Sequence, residues 1–436
     1  MSVAEAPDLA DVLARLDRLT NWEQRPRGEM RVGLEPMRDL AARAGDPQKA
    51  FGTVHVAGTK GKGSVCALIE AALLRAGIRA GRYASPHLES VTERVSIGGR
   101  PIAEADLAKA MLQAVDHFEA AGRDGTAGAQ ATWFDLLTLS AFLAFRDAGI
   151  EWAVVETGLG GRLDSTNVVE SAVAVLTNVE LEHTEILGTT REAIAREKAG
   201  IIKPGAVVVT SLAGDDEAGR VIAERAAELG CTLVRTGPAP GATIAGQNEA
   251  LAGTALDALG GRGLVARDGA GSAVGAWLLD EATKQRARLP GRLERLELCA
   301  ADGRPVPVVL DGAHVPFNLR AVLHDLGRER DLGGPIVAVV ALGSDKDARG
   351  FLAVLGEAGA RLIVTDMPGG RGFAASALGG IAVSLGLDAV VEPDWSQAVK
   401  RALAKAAEKG GWALVTGSLH LVGAVRAWKI RGAAAD

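Results

Sequence analysis

Gly58, Gly61 and Gly63 fall within one short stretch, VHVAGTKGKGS, at positions 54 to 64, with Lys62 and Ser64 set among them. Glycines let a backbone fold tightly enough to aim several N–H groups at one point, and a helix that follows adds its positive N-terminal end. Such a loop cradles phosphates. The short β-branched run Val54 to Val56, with His55 at its centre, supplies a strand before it, and an alanine- and leucine-rich pattern predicts a helix from Val65. The spacing departs from the general P-loop rule, which places Lys and then Ser or Thr directly after the last glycine, because Gly63 separates Lys62 from Ser64. On this stretch alone, a tight strand-to-helix turn that binds nothing is the alternative.

The elements that must position such a loop are legible as an alternation. Helical spacing marks residues 8–20 and the segment PMRDLAARAG, and ARAGRYAS reads as a short strand. SPHLESVTERVSIGG is a polar segment closing on a small strand, and residues 103–121 read as a helix. FDLLTLSAFLAFRDAG is a strongly apolar helix, and WAVVETGLGG, AVAVLTNV and AVVVTSL are buried strands, the last two separated by a loop and a helix. The helix 216–229 and the strand CTLVR follow. Residues 237–275 resist assignment, apart from a helix in QNEALAGTALDAL. LPGR at 289–292 reads as a linker, after which the alternation restarts with PVPVVLDGAH, IVAVVALGSDKD, RLIVTD, AVVEP and WALVTGS separated by helices. Continuous Val, Ala and Leu strands alternating with helices predict parallel sheets covered on both faces.

At 436 residues the chain is expected to form two or three domains, and 48% hydrophobic residues are ample for large cores. A formal charge of −6 argues against nucleic acid or an anionic membrane as the main partner, so an anion must be bound locally. Cys66, Cys231 and Cys299 are odd in number, far apart and not at ligand spacing with His, which indicates neither a disulfide framework nor a zinc site and fits a reducing cytoplasm. The acidic N-terminus MSVAEAPDLADVL lacks a positive segment leading into an apolar one, and no window reaches the length of a membrane span. A soluble intracellular protein is expected, and nothing in the sequence demands a partner chain, so a monomer is expected.

Each apolar strand ends in a polar or glycine cluster, where open α/β sheets place their ligands. GTKGKGS, SPHLESVTERV, FDLLTLSAF, ETGLGGRLDSTN, ELEHTEILG, REKAGIIK, LPGRLE, LDGAH, LGSDKD and VTGSLHLVG occur in this order. The series resembles that of folylpolyglutamate synthase and dihydrofolate synthase, in the Mur ligase superfamily, across roughly residues 30 to 428. The resemblance implies an N-terminal P-loop ATPase domain over 1–293 and a smaller Rossmann-like α/β domain over 294–436. It also implies an activity: ATP-dependent joining of glutamate to a pteroate or folate carboxylate through an acyl phosphate. That chemistry needs a phosphate cradle, a metal to spread γ-phosphate charge, and a site closed to water.

By the same resemblance Gly58, Thr59, Lys60, Gly61, Lys62, Gly63 and Ser64 hold the ATP phosphates, with Lys62 as the point charge. Two Mg²⁺ sites are implied, with Ser85, Glu156, His183 and Lys198 as ligands, Lys198 after carbamylation by CO₂. Glu182 stands where the family commonly has aspartate. Phe134, Asp135, Leu163, Asp164 and Ser165 match acceptor contacts, and MRVGLE at 30–35 resembles the loop that helps hold dihydropteroate, with Arg31 where some bifunctional members carry aspartate. Asn248, Arg292, Asp311 and His314 match ATP contacts. Val315 replaces the asparagine of the usual DGAHNP, and SDKD at 344–347 falls near the glutamate amine or a closing interface. Outside the motifs, the bland readings are a surface His183, a helix-surface Lys198, a core Phe134, and caps or turns for the loop residues. Another Mur-type amide ligase is the nearest rival, separable by substrate competition. A non-ligase P-loop switch or kinase would turn over ATP without glutamate.

Overall fold

The computed structural model describes residues 8–22, 33–236, 243–328, 331–370 and 372–433. Arg31 and the first half of MRVGLE lie outside these, as does 237–242. The chain forms two compact units, Met1–Arg288 and Leu289–Asp436.

The first unit is built on strands β1 (Gly52–Ala57), β2 (Ala80–Tyr83), β3 (Val95–Ile97), β4 (Arg100–Pro101), β5 (Trp152–Glu156), β6 (Ser171–Leu176), β7 (Val207–Thr210) and β8 (Thr232–Arg235). They order as β4-β3-β2-β5-β1-β6-β7-β8. From β2 to β8 every pairing is parallel, while β3 runs antiparallel to β2 and β4 to β3. β1 lies between β5 and β6, so the loops that leave these strands emerge side by side, which is where a parallel sheet collects a ligand site.

Two apolar clusters pack on this sheet. One gathers Met37, Leu40, Leu107, Leu136, Phe142 and Phe145 from the helices Glu35–Arg43, Glu104–Asp124 and Trp133–Asp147, with Tyr83 of β2 and Val155 of β5. The other gathers Ala174, Leu176, Ile194, Ile201, Val208 and Ile222 around the helices Arg191–Ala199 and Glu217–Glu228. The helix Lys62–Arg75 is buried along most of its length, including Val65, Ile69, Ala72 and Leu73, and packs against the helix Ile244–Gly261.

The second unit has β9 (Glu294–Cys299), β10 (Pro305–Asp311), β11 (Ile336–Val340), β12 (Arg361–Val364), β13 (Ala389–Val391) and β14 (Trp412–Thr416), in the order β13-β12-β11-β14-β10-β9. Only β9 is antiparallel. Sequence reasoning assigned neither β9, whose one-face alternation marks an edge strand, nor the closing helix Leu419–Ala433. Among the described residues no helix is long and apolar enough to cross a membrane.

Candidate active site

The glycine-rich loop owes its shape to particular contacts. Gly58 has φ 154°, and a Cβ there would collide with the Thr177 hydroxyl. Gly61 takes a left-handed φ of 85° and caps the next helix, with a Cβ there reaching within 2.5 Å of Asn248 Oδ1. The helix therefore starts at Lys62 rather than at the expected Val65: the turn is completed at Gly61, and Lys62, Gly63 and Ser64 form the first helical turn. Val65 N donates to Gly61 O at 2.9 Å, which leaves the N–H groups of Lys62, Gly63 and Ser64 without a carbonyl inside the helix. This is the arrangement that receives an anion.

The end of β6 clamps the other side of the loop. Thr59 N donates to Asn178 O at 2.9 Å, and Lys60 N to Asn178 Oδ1 at 2.8 Å. The Thr177 hydroxyl donates to Lys60 O at 2.6 Å, and Glu180 N donates to the Thr59 hydroxyl at 3.0 Å. Sequence reasoning missed Thr177 and Asn178, treating them as the tail of a strand. Their one signal is a polar pair ending an otherwise apolar buried strand.

Cationic side chains converge on Gly58. Lys62 Nζ donates to Gly58 O at 3.2 Å and lies 3.9 Å from Glu156 Oε1. Lys198 Nζ reaches the same carbonyl at 3.0 Å. Lys60 Nζ pairs with Glu182 Oε1 at 3.0 Å. Lys198 is buried, and burial pushes its ammonium down to about 7, with the Lys62 charge acting the same way and Glu182 opposing it. The Glu156 carboxylate, buried at the end of β5, accepts from Ser85 N at a long 3.4 Å. His183 adopts φ 56°, and its Nε2 is 4.0 Å from Glu182 Oε1. Ser85, Glu156, Lys62 and Lys198 thus surround the loop, while His183 joins through Glu182 and Lys60. Among the described residues no three His, Cys, Asp or Glu side chains form a ready-made metal cluster.

The turn after β5 carries the other expected residues. Asp164 Oδ2 accepts from Leu159 N at 2.8 Å, and its Oδ1 accepts from Thr166 N at 3.0 Å and from the Thr166 hydroxyl. Asp135 accepts from Thr132 N at 2.8 Å, from the Thr132 hydroxyl at 2.7 Å and from the Ser165 hydroxyl at 2.5 Å. Burial raises the pKa of both carboxyls against these hydrogen bonds. The Phe134 ring lies against Gly158, its centroid 6.1 Å from that of Tyr83. Leu163 lines an open groove with Leu159, Ile186 and Leu187, rimmed by Arg162 and Glu197, which pair at 2.8 Å. Phe134, Asp135, Asp164 and Ser165 are therefore neighbours, with Leu163 on the same turn.

In the second unit Asp311, at the end of β10, accepts from Leu293 N at 2.9 Å and Ala313 N at 2.8 Å. It holds Leu293 at a left-handed φ of 46°. His314 Nδ1 bonds Gly312 O at 2.9 Å, and Gly312 N donates to Gly291 O at 3.0 Å. Asp311, His314 and the LPGR segment form one loop cluster, on which Arg292 is exposed. Asn248 belongs to the first unit, beside Gly61. In SDKD, Lys346 pairs with Asp345 at 2.8 Å, and Asp347 caps the helix Ala348–Glu357.

Comparison with known proteins fits this geometry. The Mur ligase middle domain matches residues 56–257, and the Mur ligase glutamate ligase domain matches 291–419. The dihydrofolate synthase/folylpolyglutamate synthase of Escherichia coli is 34% identical over 382 residues, covering 81% of this chain and 82% of that protein. The chain belongs to this family of Mur ligases. Within the family, the enzyme of the same description from Mycobacterium tuberculosis is 32% identical over 81% of this chain and 78% of its own length. The Bacillus subtilis counterpart is 43% identical over 190 residues, and this match spans 44% of that protein. Among solved structures, Escherichia coli FolC in complex with DHPP and ADP superimposes with a TM-score of 0.77 at 29% identity, covering 100% of both chains. A bifunctional family member from Yersinia pestis complexed with AMPPNP and Mn superimposes at 0.78 with 32% identity, covering 98% of this chain and 99% of its own. As a Mur ligase the chain has the expected fold, a P-loop ATPase unit followed by a second α/β unit.

Proposed function

We propose that this Mur ligase joins L-glutamate to the carboxylate of dihydropteroate, of a folate polyglutamate, or of both, with ATP converted to ADP and phosphate. The observation that carries the reading is the loop around Gly58. Helix N–H groups, Lys62 and the buried Glu156 converge there, and the loop lies inside the segment that matches the Mur ligase middle domain. Related structures holding ADP, or AMPPNP and Mn, support ATP and a divalent ion as its ligands.

A carboxylate oxygen of the acceptor attacks the γ-phosphorus, and ADP leaves. The glutamate amine then attacks the acyl carbon and loses a proton, and phosphate departs carrying one former carboxylate oxygen. Gly58, Gly61, Lys62, Gly63 and Ser64 hold and orient the phosphates through backbone N–H groups, Thr59 and Lys60, whose N–H groups bond Asn178, shape the loop, and the Lys62 side chain follows the charge as it develops on the transferred group. Asn248 packs on Gly61 and supports the loop. Arg292, Asp311 and His314, in the second unit, are nucleotide contacts by the family resemblance. The Glu156 carboxylate and the Ser85 hydroxyl are hard oxygen donors fitting Mg²⁺, with His183 and a carbamylated Lys198 as ligands for a second ion. Mg²⁺ held by these residues would supply positive charge to offset that of the phosphates. The ammonium of Lys198, held near 7 by burial, is in part neutral at physiological pH, and only a neutral amine adds to CO₂.

Phe134, Asp135, Leu163, Asp164 and Ser165 form the acceptor wall. Free Cys66, Cys231 and Cys299 suit a cytoplasmic enzyme, and the reading requires small-molecule partners and a single chain. Incubation with ATP, glutamate and either dihydropteroate or tetrahydrofolate, with products weighed by mass spectrometry, tests the assignment. A glutamate adduct of at least one acceptor is expected. ATP turnover without either adduct would remove the folate reading and leave another amide ligase.

A further inference from the structure

His55 lies in the middle of β1, just before the phosphate loop, and is completely buried. Its register neighbours are Val155 of one apolar cluster and Ala174 of the other, so an imidazole stands where the sheet is otherwise apolar. Nε2 is 2.9 Å from the Thr166 hydroxyl, and among the described residues Nδ1 has no hydrogen-bond partner. A half-satisfied buried imidazole is costly where valine or leucine would pack, so its one bond is the feature to explain. Thr166 donates its hydroxyl proton to Asp164 Oδ1, which leaves its oxygen to accept. His55 must then be the Nε2–H tautomer, and a directed chain runs from His55 through Thr166 to Asp164.

We infer that His55 is a positioning residue for the acceptor: through Thr166 it aims the Asp164 carboxylate and fixes the turn that carries Leu163, Asp164 and Ser165. The inference rests on the proposed reading of that turn as the acceptor wall. Other bonds hold the turn from above. Asn167 Nδ2 donates to Arg162 O at 3.0 Å and Gly200 O at 3.1 Å, and Arg162 N to Glu197 O at 2.8 Å. His55 adds a tie from the turn to β1, whose far end carries the phosphate loop.

The test compares His55→Leu, His55→Gln, Thr166→Val and the His55→Leu/Thr166→Val pair, with Asp164→Asn as control. Each is checked for folding by thermal melting, and KM is measured separately for acceptor and ATP. His55→Leu is expected to raise the acceptor KM about tenfold while the ATP KM stays within about twofold. Gln places a side-chain N–H where Nε2 was and should restore most of the loss. Thr166→Val should reproduce the effect of His55→Leu, and the pair should be no worse than either alone, as for two links of one chain. An unchanged acceptor KM in folded His55→Leu, or equal rises in both KM values, would overturn the inference. An unchanged acceptor KM in Asp164→Asn would instead remove the acceptor-wall reading, with His55 left as packing.

Discussion

Around Gly58 the chain assembles lysines, and around Asp164 it assembles carboxylates. The two regions treat their charges differently. Lys62 makes a 3.2 Å bond to a carbonyl and stands 3.9 Å from Glu156, an arrangement that leaves its ammonium room for an oxygen the chain does not itself supply. Asp164 and Asp135 are closed in by backbone N–H groups and hydroxyls of their own neighbourhood, at 2.5 to 3.0 Å where the bonds are longest and shortest among Leu159, Thr132, Ser165 and the Thr166 amide. The first region is arranged to gain charge from a ligand, and the second to hold a shape. Substitutions in the first should therefore cost activity and leave the fold intact, whereas those in the second should cost stability as well as acceptor binding.

Lys62→Ala is the largest test. Loss of a charge aimed at the transferring phosphoryl group should lower glutamate-dependent ATP turnover about a thousandfold, with the melting temperature within about 2 °C of wild type. A large melting shift would break the contrast. Glu156→Gln removes a carboxylate charge with little change in volume, and a fall of about a hundredfold in turnover is expected, again without unfolding. Asp164→Ala should behave in the opposite way. It orphans the N–H groups of Leu159 and Thr166, so denaturant unfolding should show a loss of about 1–3 kcal/mol, with the ATP KM nearly unchanged.

The smallest effect sharpens the contrast through pH. Burial, with Lys203 adding its charge, pushes the His55 pKa from 6.5 down to about 3. The folded-state value is depressed, so the neutral imidazole contributes stability that is complete above the unfolded value and is lost as pH falls towards the folded one. Between pH 7 and pH 5.5 the wild type should lose about 1 kcal/mol more than His55→Gln in paired denaturant titrations. Equal losses would show that His55 is not held neutral.

The phosphate loop was legible because its chemistry is local: glycines, a lysine and a helix start adjoin in sequence. Its two anchors were not, because Thr177 and Asn178 act from the end of β6, and the pairing of β6 with β1 is a fact of sheet order that one sequence does not display. His55 was hidden for the same reason. In sequence it is a polar residue in a strand, and its partner Thr166 lies beyond a glycine turn. The alternation of strands and helices gave both α/β units, since buried parallel strands are continuous apolar runs. It failed at β9, whose alternating exposure suits an edge strand, and at the helix Leu419–Ala433, which begins inside a motif read only for its loop.

The most direct test of the central claim is the fate of a labelled oxygen. With dihydropteroate or a folate carrying heavy oxygen in the reacting carboxylate, ATP and glutamate, the released phosphate should acquire one labelled oxygen for each amide formed. Amide product with unlabelled phosphate would contradict the acyl-phosphate route and the role given to the loop around Gly58.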